Sequence, residues 1–318
     1  MQEQKHLDPS AQHQREVQYM SVAADTGAKE ELILPEQKDL APLKVVALDL
    51  DGTTLREDKT FSPRLIKDIA VLQERGVTVA ICSGRAPESV LTFSRQLKLD
   101  QYSGYCVCFN GGALINLKDI TKDLFVSTLD ATDLIDIEAQ ARLHGCAVHA
   151  YSTRRVLLTE SNIKFTEMEI AASMQPFETI LFPDEVRPDE QVYKLIAVGE
   201  SEHLEEMRCN LPAEFHTRFN IARTHSNFLE FMQKGCSKGA TLDQLCKLIG
   251  CSLENVVAFG DAENDIEMVR MSGVGVAVAN AMDTLKAVTP YRTYNYMADG
   301  VAIYLEKLFG LPAGDAEA

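Results

Sequence analysis

The chain has 318 residues, of which 46% are hydrophobic and 25% charged, as in an ordinary globular protein. This length predicts two domains, because single hydrophobic cores seldom grow so large. The formal net charge of −16, without runs of Lys or Arg, argues against nucleic-acid and anionic-membrane partners. No apolar stretch reaches the roughly 20 residues that a membrane span needs.

The first 43 residues differ in texture from the rest of the chain. They contain no apolar core of a signal peptide, and their acidic residues disfavour an organelle transit peptide. Their composition predicts a mobile N-terminal extension over 1–43, although the short apolar segment LILP (32–35) could dock on the body.

Continuous apolar runs begin at Lys44 and recur along the chain, as in strands that are buried on both faces of a parallel sheet. The runs are KVVALDL (44–50), VTVAIC (77–82), YCVCF (105–109), NVVAF (255–259) and VGVAV (274–278). Helical segments alternate with them, and the first begins at Ser62-Pro63 and ends at Gly76. This alternation predicts a doubly wound, Rossmann-like α/β core with a parallel sheet.

The middle third of the chain has a different pattern. Between 123 and 228 the candidate strands are shorter and more alternating, and helical patches such as DLIDIEAQARLHG (133–145) separate them. We therefore predict an α+β cap domain over 123–228, inserted into a catalytic core that 44–122 and 229–318 form.

The eight cysteines form no C-x-x-C pair and no cluster typical of a zinc site. Several lie in apolar runs, where cysteine behaves as a small buried hydrophobic residue. We therefore expect reduced, structural thiols in a cytoplasmic protein.

Four of the apolar runs are followed directly by small, polar or acidic residues. In an open α/β sheet, ligands bind at the carboxyl ends of the strands, so these residues are expected to meet in one crevice. They are Asp49 to Thr53 after the first run, Ser83 to Arg85 after the second, Asn110 to Gly112 after the third and Gly260 to Asp265 after the fourth.

The acidic residues of this set predict a metal site. Asp49 and Asp51 lie two residues apart at a strand end, and Asp261 adds a third carboxylate. Like charges this close need a cation, and a set of oxygen ligands favours magnesium over zinc. An EF-hand calcium loop is an alternative for D-x-D-G, but Thr60 stands where that loop needs Glu.

The polar residues allow two interpretations. Ser83-Gly84 is either a plain strand-to-helix turn or a cradle in which a hydroxyl and a backbone N–H hold a phosphate. Lys238, in the first turn of a helix that Ser237 caps, is either a solvated charge or a clamp for that phosphate.

Together, the motifs resemble those of the haloacid dehalogenase-like (HAD) superfamily, and the Cof-type phosphatases within it look most similar. The motifs are D-L-D-G-T-T (49–54), S-G-R (83–85), S-K-G (237–239) and G-D-x-x-N-D (260–265). The Cof-type cues are Asn110-Gly111, F-L-E (228–230), D-G-V (299–301) and the insertion between the second and third motifs. The resemblance covers about 44–310.

The resemblance implies a role for each motif residue. Asp49 is similar to the nucleophile and a magnesium ligand, and Asp51 to the general acid/base, whose main-chain carbonyl also binds the metal. Asp261 resembles the remaining protein ligand of the metal, and Asp265 an outer-shell group. The implied phosphate contacts are Ser83, Lys238, Asn264 and the backbone at Leu50 and Gly84. Lys194 is the alternative for the lysine role, although its strand context favours a cap residue.

The resemblance thus implies a magnesium-dependent phosphatase that hydrolyses a small phosphorylated metabolite, such as a sugar phosphate, through an aspartyl phosphate on Asp49. Two alternatives are a phosphosugar mutase and a non-catalytic phosphometabolite-binding protein on the same fold. The second is expected to lack a motif carboxylate, and none is missing here. A dehalogenase is disfavoured because that branch needs no acid at Asp51.

Overall fold

The structure, a computed structural model, describes residues 31–160, 164–166, 175–182, 184–187 and 189–313. Its strands form two sheets, one of eight strands and one of six. Among the described residues, no helix has the length and apolar character that crossing a membrane requires.

The larger sheet forms the core that carries the predicted motifs. Its strands are β1 (Val45–Leu48), β2 (Thr78–Cys82), β3 (Tyr105–Cys108), β4 (Ala113–Asn116), β5 (Asp119–Val126), β12 (Val256–Gly260), β13 (Val274–Ala277) and β14 (Tyr291–Arg292). Their order is β14-β13-β12-β1-β2-β3-β4-β5. In this order, the six strands from β14 to β3 are parallel to one another, whereas β4 and β5 are antiparallel to their neighbours.

Helices cover both faces of this sheet. They are α1 (Pro63–Glu74), α2 (Pro87–Gln96), α6 (Lys238–Leu248), α7 (Ile266–Met271), α8 (Asp283–Lys286) and α9 (Gly300–Phe309). Successive residues of β1 point to opposite faces: Val46 and Leu48 belong to the apolar cluster with α1, α2 and α9, whereas Val45 and Ala47 pack with α6 and α7. This arrangement confirms the predicted doubly wound α/β core.

The smaller sheet belongs to the middle third of the chain. Its strands are β6 (Ala147–Ser152), β7 (Val156–Leu158), β8 (Phe177–Thr179), β9 (Val192–Val198), β10 (Phe219–His225) and β11 (Phe228–Gln233), in the order β10-β11-β9-β6-β7-β8. Three helices, α3 (Ala131–Leu143), α4 (Ser201–Asn210) and α5 (Ala213–Arg218), pack on one face against residues such as Leu195 and Phe231. The other face is turned toward the larger sheet. The α+β character predicted for this part is thus present.

The borders of the insert differ from the predicted range of 123–228. Strand β5 runs to Val126 within the larger sheet, and β11 continues to Gln233 within the smaller one. The sequence does not reveal either border, because the alternating apolar pattern of a single strand continues across each of them. We propose that the insert spans 127–233.

The segment 31–43 is part of the folded body, so the expectation of a mobile extension is wrong for these residues. Leu32, Leu34, Leu40 and Leu43 pack against the main apolar cluster. The Ile33 N–H donates to the Arg292 carbonyl at 2.9 Å, and the Arg292 N–H donates back at 3.2 Å, which adds a bridge beyond β14. The preceding residues 1–30 lie outside the described part of the chain.

Candidate active site

Three adjacent strand ends place the predicted site. Asp49, Ser83 and Asp261 directly follow β1, β2 and β12. Strand β1 lies between the other two and is parallel to both, so all three residues lie at the same edge of the sheet. Such edges are where open α/β sheets bind their ligands.

A buried cluster of carboxylates lies at this edge. One carboxylate oxygen from each of Asp49, Asp261 and Asp265 lies within 4.8 Å of the other two. Lys238, the first residue of α6, places its Nζ 2.6 Å from Asp49 Oδ1 and 2.6 Å from Asp265 Oδ1. Lys238, and not Lys194, is therefore the lysine beside the predicted nucleophile.

The hydrogen bonds of the cluster distinguish its three carboxylates. Both oxygens of Asp265 are in use, because Oδ1 accepts from Lys238 and Oδ2 accepts from the N–H groups of Asp261 at 3.0 Å and Ala262 at 3.1 Å. Asp261 Oδ1 accepts from Thr53 Oγ1 at 2.9 Å. The Oδ2 atoms of Asp49 and Asp261 accept no hydrogen bond from the described residues, so these atoms can bind a cation.

The electrostatics of the cluster favour a divalent cation. Burial raises the pKa of Asp49 to about 7, and Asp265 adds to this effect, which Lys238 only partly offsets. Burial, followed by Asp49 and Asp265, also raises the pKa of Asp261 well above its ordinary value. Burial would lower the pKa of Lys238, but the two carboxylates outweigh it and raise that pKa. If all three carboxylates are ionised, they and the one ammonium carry two net negative charges, which a divalent ion bound by oxygen ligands would balance.

The D-L-D-G loop lies against this cluster. Gly52 has φ +78°, and a Cβ atom there would come 2.6 Å from Asp261 Oδ2, so only glycine allows this close approach. Asn280 Nδ2 donates to the Gly52 carbonyl at 2.7 Å and holds the loop in place. The backbone next to Asp51 is thereby held beside the carboxylates.

The Asp51 carboxylate is not one of the three clustered carboxylates and has basic partners of its own. Arg85 binds it with two hydrogen bonds, Nε to Oδ2 at 2.6 Å and Nη2 to Oδ1 at 2.7 Å, and Lys59 Nζ adds a third at 2.9 Å. Burial would raise the pKa of Asp51, but Arg85 and then Lys59 outweigh it and lower that pKa to about 2. Asp51 is therefore ionised in this arrangement.

The predicted phosphate contacts surround the same crevice. Ser83 Oγ accepts from the Arg85 N–H at 3.2 Å, and Asn264 Nδ2 donates to Asn110 Oδ1 at 2.9 Å. The N–H groups of Leu50 and Gly84 donate to no acceptor in the described part of the chain. These two N–H groups and the Ser83 hydroxyl are suited to holding the oxygens of a phosphoryl group.

A cavity of about 300 Å³ extends from these residues to the smaller sheet. Of the residues predicted for the site, Asp49, Asp51, Ser83, Gly84, Asp261 and Asn264 line it. Leu50, Lys238 and Asp265 lie buried around it. The cap side of the cavity includes Tyr151, Lys194, Thr224, Phe228 and Glu230.

Comparison with known proteins identifies the family. Residues 46–305 match the model of a family described as haloacid dehalogenase-like hydrolase. The chain belongs to this family. The resemblance stated from the motifs, to the Cof-type branch of the HAD superfamily, is thereby confirmed, as is the predicted hydrolase class.

Curated relatives and solved structures agree with this membership. A protein of Streptococcus pyogenes named "Putative phosphatase" is 28% identical over 268 residues, which are 83% of this chain and 98% of the relative. A "Putative phosphatase" of Bacillus subtilis is 25% identical over 270 residues, again 83% and 98% of the two chains. A haloacid dehalogenase-like hydrolase from Bacteroides thetaiotaomicron has a TM-score of 0.74 at 26% identity, covering 84% of this chain and 100% of its own.

Three arginines of this HAD hydrolase have their partners within the cap. Arg155 is buried and pairs with Glu178 and Glu190. Arg154 is exposed and lies 3.5 Å from Asp189. The Arg223 guanidinium binds the carbonyls of three nearby residues, Ser201, His225 and Ser226.

Several residues of the site had not been given a role from the sequence. Arg85 and Glu230 stand in the S-G-R and F-L-E motifs, but the motifs do not show that one binds Asp51 and the other binds Asn110. Thr53 lies in the first motif and binds Asp261. The partner of each lies at least 34 positions away, so the chain's local pattern holds no signal for these contacts.

Proposed function

We propose that this HAD hydrolase is a magnesium-dependent phosphatase that hydrolyses a small phosphorylated metabolite through an aspartyl phosphate on Asp49. The observation that carries the proposal is the position of Asp49, buried at the end of the central strand with Lys238 Nζ 2.6 Å from one oxygen. Asp49 also contributes a carboxylate oxygen to the cluster that suits a cation. The names of the two curated relatives support the phosphatase class.

The donor set favours magnesium over zinc, because every candidate ligand is an oxygen. Asp49 Oδ2, Asp261 Oδ2 and the main-chain carbonyl of Asp51 would hold the ion. Asp265 would orient the site as an outer-shell group, since both its oxygens already accept hydrogen bonds. When bound, magnesium would supply positive charge that screens the phosphoryl oxygens from the carboxylates.

In the first step, the Asp49 carboxylate attacks phosphorus and the bond from phosphorus to the leaving oxygen breaks. Lys238 balances the charge of Asp49, and Ser83, Asn264 and the N–H groups of Leu50 and Gly84 hold the phosphoryl oxygens. Asp51 must take up a proton, leave Arg85 and give that proton to the leaving alcohol.

In the second step, Asp51 takes the proton of an attacking water molecule, and the bond between phosphorus and Asp49 breaks. Phosphate leaves, Asp49 returns as a carboxylate, and Asp51 again carries the proton that the next turnover uses. The insert acts as a cap that covers the site and excludes bulk water during both steps.

The proposal also places the enzyme in the cytoplasm and gives it no nucleic-acid or membrane partner. Seven of the eight cysteines are buried or partly buried, all eight are free thiols, and the net charge is −16. Reduced thiols support a reducing compartment, and the negative charge opposes binding to polyanions.

The test is phosphate release from para-nitrophenyl phosphate by the purified chain, with magnesium and after chelation. We expect release with magnesium, its loss in chelator, and its loss in Asp49→Asn, which keeps the shape of the side chain but removes the attacking charge. Asp100→Asn, at an exposed position outside the site, is the matched control and should keep full activity. Substrate-dependent exchange without release of free phosphate would instead indicate a mutase.

A further inference from the structure

Two charged side chains of the cap are buried at the wall of the active-site cavity. Lys194 on β9 and Glu230 on β11 are each only 4% exposed, and both line the cavity. Their neighbours Leu195 and Leu229 point to the opposite face of the sheet, where the cap helices cover them. A buried ion pair contributes little net stability compared with apolar residues, so this pair is not explained by packing.

Glu230 holds the lysine in place. Its Oε1 accepts from Lys194 Nζ at 3.1 Å and from Thr224 Oγ1 at 3.0 Å, and its Oε2 accepts from Asn110 Nδ2 at 2.5 Å. A carboxylate has about four positions for accepting hydrogen bonds, so one position remains. Glu230 is therefore a positioning residue that fixes Lys194 and joins the cap to the end of β3.

Lys194, by contrast, keeps donors for a ligand. An ammonium has three N–H groups, and Glu230 is the sole hydrogen-bond acceptor of Lys194 within the described ranges. Its Nζ also lies 4.6 Å from the centre of the Tyr151 ring, which restrains the cation without using a hydrogen-bond acceptor. At least one N–H group is left for an oxygen atom in the cavity.

We propose that Lys194 is a specificity-determining residue that donates a hydrogen bond to a hydroxyl group of the substrate's leaving group. This inference rests on the proposed phosphatase function. The Lys194 contact would let the cap select the leaving group, which is the part of the substrate on the far side from phosphorus.

The charges of the pair favour a hydroxyl over a second anionic group. Glu230 neutralises Lys194, so a second phosphate or a carboxylate would meet a carboxylate as well as an ammonium. A hydroxyl accepts from Lys194 Nζ and donates to the remaining position on Glu230, which satisfies both partners. The rings of Tyr151 and Phe228 give the same wall apolar surface that suits the C–H face of a sugar.

The size of the cavity and the contacts of Asn110 agree with this assignment. About 300 Å³ is the lower limit for small-molecule sites, so the cavity suits a compact monophosphate. Asn110 binds Glu230 through Nδ2 and Asn264 through Oδ1, and Asn264 is a proposed phosphate contact. One chain of hydrogen bonds thus joins the leaving-group wall to the phosphoryl site.

The experiment compares kcat/KM for glucose 6-phosphate, its 2-, 3- and 4-deoxy analogues and para-nitrophenyl phosphate, using the purified full chain with magnesium. The measured quantity is the ratio of kcat/KM for the sugar phosphate to that for the aryl phosphate. In Lys194→Met this ratio should fall about 10- to 100-fold, mostly through KM, as expected for losing a hydrogen bond to a charged donor. Lys247→Met, on the exposed side of α6, should leave the ratio unchanged.

The deoxy analogues keep the test valid if Lys194→Met fails to fold, because they probe the wild-type enzyme directly. Lys194→Gln is a second, neutral variant whose side chain can still donate a hydrogen bond to Glu230. One analogue should show the same loss in the wild type, and Lys194→Met should add nothing to it, since both changes remove one hydrogen bond. The inference would be overturned if the kcat/KM ratio were unchanged in both Lys194→Met and Lys194→Gln. It would also be overturned if removing each hydroxyl from the substrate lowered kcat/KM as much in Lys194→Met as in the wild type. A greater loss for fructose 1,6-bisphosphate than for the monophosphate would overturn it too, because that result would show that Lys194 binds a second anion. If the wild type releases phosphate from neither sugar nor aryl substrate, the proposed function itself fails.

Discussion

Lys238→Met tests whether the ammonium group inside the carboxylate cluster contributes to both stability and activity. The side chain is fully buried and donates to both Asp49 and Asp265 at 2.6 Å. Removing one partner of a buried ion pair typically costs about 3–5 kcal/mol, because an uncompensated charge is left behind. Here two carboxylates lose their partner, so we expect a loss of unfolding free energy within that range when no divalent cation is present.

Urea denaturation in chelator and in millimolar magnesium measures this loss. Magnesium should reduce it, because a bound cation replaces part of the missing charge. With magnesium, kcat/KM for para-nitrophenyl phosphate should fall about 10²- to 10³-fold, as expected for losing one preorganised charge partner of the transition state.

The matched control for this variant lies on the same helix. The Lys247 side chain is 72% exposed and pairs with Asp243, whereas that of Lys238 is 0% exposed. Lys247→Met should change stability by less than about 0.5 kcal/mol, since exposed ion pairs contribute little. Equal losses in the two variants, or a Lys238→Met enzyme of wild-type activity, would refute the assignment of Lys238.

Two further predictions follow from the loop and the N-terminal segment. Gly52→Ala should lower kcat/KM for para-nitrophenyl phosphate at least about tenfold and raise the magnesium concentration that activity needs, because the new Cβ atom would meet Asp261 Oδ2. Gly76→Ala is the control in the same assay. Gly76 also has a positive φ, but a Cβ atom there would meet nothing within 4 Å, so this variant should keep its activity. The variant that lacks residues 1–43 should have an unfolding free energy about 2–4 kcal/mol lower than the variant that lacks only 1–30, since four partly buried leucines are lost. Equal urea midpoints of the two variants would show that 31–43 does not stabilise the body.

The sequence was sufficient to predict the elements whose pattern is local. Runs such as KVVAL are apolar throughout, so their burial on both faces of a parallel sheet, and the position of Asp49 after the strand, follow from the pattern. The helix start at Lys238 follows from the Ser237 cap, whose Oγ accepts from the Ala240 N–H at 3.0 Å. The carboxylates meet because neighbouring parallel strands end at one edge.

Features that depend on distant partners could not be read in the same way. The fixed position of the Asp51 carboxylate depends on Arg85, 34 positions away, and Lys194 reaches Glu230 across 36 positions. The proposed borders of the insert differ from the predicted ones because β5 and β11 continue the strand pattern past them. The docking of 31–43 depends on a bridge from Ile33 to Arg292, which polar composition alone does not indicate.

The central claim is a covalent phosphate on Asp49, and Asp51→Asn tests it most directly. An aryl phosphate departs as a stable phenolate and needs little help from an acid, whereas the water of the second step needs a base for every substrate. Rapid mixing of Asp51→Asn with para-nitrophenyl phosphate and magnesium should therefore give a burst of about one phenolate per site and then a very slow steady rate. Steady turnover near the wild-type rate, without a burst, would contradict the proposed intermediate and the role of Asp51.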